Sequence, residues 1–145
     1  MITNQKQYKI TKAHLEEFEA ALAERAAMPI PEGVDEGMWQ LEQDALQSQI
    51  EDFKADLSAF ERLQAGDIAE TPLNSLADLP VLLIQARIAQ GLTQKAFAEK
   101  LNVKEQQVQK DEASLYESAS LHRLLRIADA LGLEFHGQAR LPVRS

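Results

Sequence analysis

Residues 83–133 read LIQARIAQGLTQKAFAEKLNVKEQQVQKDEASLYESASLHRLLRIADALGL, and the centre of this stretch predicts two short helices joined by a tight turn. Gly91 ends the helix before it. Thr93 suits an N-cap, because its hydroxyl can accept from a backbone N–H that the first helical turn leaves without a partner. Ala96, Phe97 and Leu101 follow at helical spacing, and the small Ala98 allows a neighbouring helix to approach closely. Asn102 falls where the turn needs left-handed backbone angles, which asparagine tolerates best after glycine. Val103 and Val108 are expected to face the core. Glu105, Gln106, Gln107, Gln109 and Lys110 are left facing outward.

LTQKAFAEKLNV, a polar helix and a closing LLRIADALGL together resemble the Cro/CI-type (XRE, lambda-repressor-like) helix-turn-helix over roughly residues 79–135. The resemblance implies a four- to five-helix DNA-binding domain and a transcription regulator. Within it, the recognition helix is expected from about Lys104 to Ala113. Glutamine can bond bidentately to the N6/N7 edge of adenine, which makes Gln106 and Gln107 the candidates for base reading, with Gln109 and Lys110 behind them. Gln94 matches the family's phosphate-contacting glutamine. Thr93, Lys95 and Lys104 are further candidates for phosphate contact at or near helix N-termini. The family also pairs an arginine at the place of Arg87 with a glutamate at the place of Glu112, a structural ion pair that fixes geometry.

Two departures from the family pattern stand out. Asp111 occupies a place that is usually apolar or aromatic; a carboxylate there either swings to solvent or weakens the packing of the helix end. The loop ASLYESAS lacks the glycine usual after the glutamate, so Ser114 or its neighbours must make that turn. Tyr116 is expected to pack over this loop, with a backbone phosphate as the alternative. Ser118 or Ser120 caps the last helix, whose buried stripe is read as Leu121, Leu124, Leu125, Ala128 and Leu131 before Gly132 ends it.

The charge of the chain is −8 overall, which by itself argues against nucleic acid. It is unevenly spread. Residues 1–76 carry six basic and fifteen acidic side chains, a balance of −9, whereas residues 77–145 carry nine and eight, a balance of +1. Between Thr93 and Lys110, Lys95, Lys100, Lys104 and Lys110 face only Glu99 and Glu105. The acid therefore says little about the surface of the second half.

The first half reads as helices. Thr11 to Met28 carries an apolar stripe of Leu15, Phe18, Leu22 and Ala26; residues 1–10 are polar and ambiguous. Pro29, Pro31 and Gly33 break the helix. Asp35 can cap a longer helix over 36–65, whose Trp39, Leu46, Ile50, Phe53, Leu57 and Phe60 alternate in steps of four and three with Gln43 filling the gap, the seam of a coiled coil. An antiparallel hairpin of 11–28 against 36–65 would have arms of about 27 Å and about 45 Å at the helical rise. The uncovered part of the long arm is expected to meet a second copy of the chain or another protein; the alternative is the C-terminal domain of the same chain.

The expected architecture is all-α. Residues 1–65 form an acidic helical hairpin for oligomerisation or partner binding, residues 66–78 a linker, and residues 79–135 the DNA-binding-like domain. In this reading Asp78 caps the first helix of that domain. Residues 136–145 are a tail, with a short strand that pairs across a twofold axis or an untidy end as equal readings.

Other classes of function are poorly served. No cysteine is present, so there is no disulfide framework, thiolate metal site or thiol nucleophile. The polar start MITNQKQYKI lacks a signal-peptide pattern, and no apolar run approaches membrane-spanning length; a cytoplasmic protein is expected. His14, His122 and His136 lie in separate elements without metal-ligand spacing. There is no glycine-rich phosphate loop, nucleophile elbow or Glu-x-x-His pair, so neither an enzyme nor a cofactor is expected. The expected partners are double-stranded DNA and a second copy of the chain. By analogy with antitoxins that repress their own operon, a basic toxin protein is a further candidate partner. The competing reading is a protein-interaction adaptor whose helix-turn-helix no longer binds DNA.

Overall fold

The computed structural model describes residues 1–67 and 70–144, and these form six α-helices and one short 3-10 turn, with no strand among the described residues. Helix α1 (Gln5–Ala27) starts earlier than the apolar stripe suggests, because the Asn4 side chain accepts from the Gln7 N–H at 2.8 Å and caps it. Helix α2 (Glu36–Gln64) is capped by Asp35, whose carboxylate accepts from the Met38 N–H at 3.0 Å. The two run antiparallel. Tyr8 stacks on Phe60 with ring centroids 5.5 Å apart, and Phe18 meets Phe53 edge-on at 5.2 Å. Near the far end the Arg25 guanidinium lies 4.0 Å above the Trp39 ring and pairs with Glu42.

With 23 and 29 residues, the arms are about 35 Å and about 44 Å long. This corrects the expectation of a strongly unequal hairpin. The seam of α2 is closed within one chain: α1 covers its outer part. Leu57, Phe60 and Leu63 join the same buried cluster as Leu79, Leu83, Ile84 and Ile88 of the C-terminal half. Ile2, only 4% exposed, inserts into that cluster as well. Burying large apolar side chains in one continuous core contributes about 1.5–3 kcal/mol each, and that drives the base of the hairpin onto the rest of the protein. Its far end differs, with Met28, Ile30, Val34, Met38 and Leu41 exposed.

After the 3-10 turn Leu76–Asp78 come α3 (Leu79–Ala89), α4 (Gln94–Leu101), α5 (Glu105–Ala113) and α6 (Leu121–Ala130). Asp78 does not cap α3. Its carboxylate accepts instead from the backbone N–H groups of Asn74 and Ser75, both at 3.0 Å, and closes a capping box around the 3-10 turn. Thr93 caps α4 through the Ala96 N–H, and Ser120 caps α6 through the Arg123 N–H. Asn102 holds φ 56° and ψ 45°, and the Val103 N–H reaches the Ala98 carbonyl at 2.9 Å. That six-to-one bond ends a helix through a left-handed residue.

Two local expectations change. Val103 is exposed, at 39%, and outside the buried cluster. The buried side of α6 comprises Ile127 and Ala128, with Leu131 just beyond and Leu124 half-buried, whereas Leu121 and Leu125 face out. This partial roll of the stripe follows from where α6 meets the rest of the domain, which periodicity alone leaves open. The tail after Leu133 contains no strand among its described residues, and Phe135, Leu141 and Val143 are exposed.

Candidate nucleic-acid interface

Helices α4 and α5 meet across the Asn102 turn, and α5 shows two different faces. Inward, Val108, Asp111 and Glu112 are buried; outward, Glu105, Gln106, Gln107, Gln109 and Lys110 are exposed. Val103, Lys104, Gln106, Gln107 and Lys110 line one shallow depression on the outer side. Lys95 and Thr93 are exposed at the start of α4. Gln109 bonds Glu105 on its own helix at 3.3 Å.

Beneath this surface lies a buried polar cluster. The Arg87 guanidinium, 2% exposed, donates through Nε to Glu112 Oε1 at 2.5 Å and through Nη2 to Oε2 at 3.0 Å. It also donates to the backbone carbonyls of Leu92, at 2.7 Å, and Thr3. Such a fork-on-carboxylate pair is strong because both bonds are charge-assisted and parallel. Gln94 belongs to this cluster, which corrects its expected role at phosphate. Its Nε2 donates to Glu112 Oε2 at 2.8 Å and its Oε1 accepts from Asn4 Nδ2 at 3.2 Å. With both ends of the amide engaged and the side chain buried, it turns inward to satisfy the carboxylate rather than outward to a ligand.

Asp111 neither swings to solvent nor loosens the helix. It is buried, and Arg123 of α6 binds both of its oxygens, with Nη1 at 3.1 Å from Oδ1 and Nη2 paired with Oδ2. Gln107 Nε2 donates to Asp111 Oδ1 at 2.9 Å. The hydrogen bond to Asp111 raises the pKa of Arg123, so the guanidinium stays charged. The glycine-less loop closes at Leu115 and Tyr116, with φ 51° and 56°, where the Tyr116 N–H reaches the Asp111 carbonyl at 2.7 Å. Tyr116 packs into the core, and burial, reinforced by the carboxylates of Glu112 and Asp111, pushes its hydroxyl pKa well above the ordinary tyrosine value.

No motif in the sequence marks Thr3, Asn4 or Arg123 as part of this cluster. The available signals were Asn4 three residues before Gln7, an N-cap spacing, and a charged residue at 111 that requires an opposite charge on a neighbouring helix.

No curated protein and no solved structure matches the chain. Among the described residues no helix is long and apolar enough to cross a membrane. Residues 83–137 match the family model described as helix-turn-helix, so this part of the chain, a little over a third of it, is similar to the helix-turn-helix of DNA-binding transcription regulators of the Cro/CI type.

Proposed function

We propose that this protein is a sequence-specific transcription repressor that reads DNA with the outer face of α5. The observation that carries the reading is the contrast between the two faces of that helix. Its inner face is held by Val108, the buried Arg87–Glu112 pair and the part-buried Arg123–Asp111 pair, while its outer face presents glutamine amides and Lys110 to solvent. Polar side chains of this kind on a rigid helix suit a major groove, whose base edges display donors and acceptors. Gln106, Gln107, Gln109 and Lys110 are assigned to bases, and Thr93, Lys95 and Lys104 to phosphates. Two copies would place their α5 helices in successive major grooves about 34–36 Å apart on a near-palindromic site.

The −9 balance of residues 1–76 favours a basic protein as partner of the hairpin, since complementary charge speeds encounter and selects partners. That is the arrangement of an autoregulatory antitoxin.

A gel-shift with the protein's own promoter across a salt series tests the DNA reading. Specific binding that weakens as salt rises, and that is lost in a Gln106→Ala/Gln107→Ala protein, is expected. Equal affinity for promoter and unrelated duplex would favour the adaptor reading instead.

A further inference from the structure

The outward glutamines of α5 are not equivalent. Gln106 has no side-chain hydrogen bond among the described residues, whereas Gln107 is tied to Asp111, and Asp111 is clamped by Arg123. An ionised carboxylate accepts hydrogen bonds and donates none. The Gln107 amide must therefore turn its NH2 towards Asp111, and its carbonyl oxygen is set away from the carboxylate. A free glutamine amide can flip and offer donor or acceptor at either position; this one cannot flip without setting oxygen against oxygen.

We propose that Asp111, braced by Arg123, is a positioning residue that commits Gln107 to adenine. Two groups of the Gln107 amide remain for a ligand: the second N–H and the carbonyl oxygen. Adenine offers the matching pair on its major-groove edge, an N7 acceptor and an N6 donor. Guanine offers two acceptors, N7 and O6. A Gln107 held in one orientation thus meets guanine with its oxygen facing another oxygen. The carboxylate at a place usually apolar in this family becomes a specificity device, and its buried charge is matched by the fork of Arg123. This inference rests on the DNA-reading role of α5 and adds to it the base that Gln107 selects.

Selection from a random duplex pool with full-length protein, followed by affinity measurements on the selected site, tests it. The wild-type protein is expected to enrich an adenine at one position of each half-site, and Gln107→Ala to lose that preference. Asp111→Leu, which restores an apolar residue, is expected to lower adenine-over-guanine discrimination at that same position on the order of tenfold. Its salt dependence should stay unchanged, because phosphate contacts are untouched. A merely structural role would lower affinity for every sequence alike. The isosteric Asp111→Asn serves if the leucine variant does not fold, since an amide at 111 can accept or donate and so lets Gln107 flip. Discrimination within twofold of wild type in the folded Asp111 variant would overturn the proposal, as would an adenine preference that survives Gln107→Ala. A wild-type protein that enriches no sequence would overturn the DNA-reading role itself.

Discussion

Replacing Arg87 by methionine removes the fork that holds Glu112 while keeping most of the side-chain volume. In the wild-type protein the Glu112 carboxylate, 3% exposed, is held by Arg87 at 2.5 Å and 3.0 Å and by Gln94 at 2.8 Å. Arg87→Met leaves that charge buried with one neutral donor. Stranding one member of a buried pair costs about 3–5 kcal/mol, a large share of the roughly 5–15 kcal/mol that holds a domain together. At about 2–4 °C per kcal/mol for a chain of this size, the melting temperature should fall by about 6–20 °C. The double variant Arg87→Met/Glu112→Leu removes both charges and should recover most of this loss, since two well-packed apolar groups often replace a buried pair without penalty. Thermal and urea unfolding of the four proteins, followed by circular dichroism, form a double-mutant cycle. A single Arg87→Met variant within about 1 kcal/mol of wild type would refute the reasoning. So would a double variant whose loss equals the sum of the two single ones.

Phe60→Ala opens a cavity where α2 meets the C-terminal half, and urea unfolding should show a loss of about 3–5 kcal/mol. Leu115→Gly relieves a left-handed residue at an exposed site; the gain, net of the glycine entropy cost, should be about 0.5–1 kcal/mol by the same assay. The raised pKa of Tyr116 means that the folded state keeps its proton where the unfolded chain loses it. Its contribution to stability is fully present below the ordinary tyrosine value near pH 10 and is lost progressively above it. Tyr116→Phe should therefore flatten the decline in unfolding free energy between about pH 10 and pH 11, and an equal slope in both proteins would contradict this. Lys95→Ala and Lys104→Ala should each lower the salt slope of DNA binding by about one while leaving base preference unchanged.

Much of the local structure was legible in the chain itself, because its causes lie within a few residues. Asp35 and Thr93 cap their helices through N–H groups three positions on, and Asn102 makes the turn that its own short side chain permits. Apolar spacing likewise marked the all-helical fold and the helix pair around Asn102. Phase was less secure: α6 turns Leu121 and Leu125 outward, since the same stripe can be rolled about the helix axis and only the surfaces of α4 and α5 select the roll.

Apart from the Arg87–Glu112 pair, which the family resemblance implies, tertiary structure alone decided who meets whom. Arg87 reaches the Thr3 carbonyl across 84 residues, Asn4 reaches Gln94 across 90, and Arg123 reaches Asp111 across 12 and a loop. A charge in a sequence states what it needs, a partner once it is buried, but not where the folded chain will bring one. For that reason Asp111 reads as a defect in the string and as a braced acceptor in the fold. Gln94 reads as a surface contact in the string and, once buried, becomes a donor to Glu112.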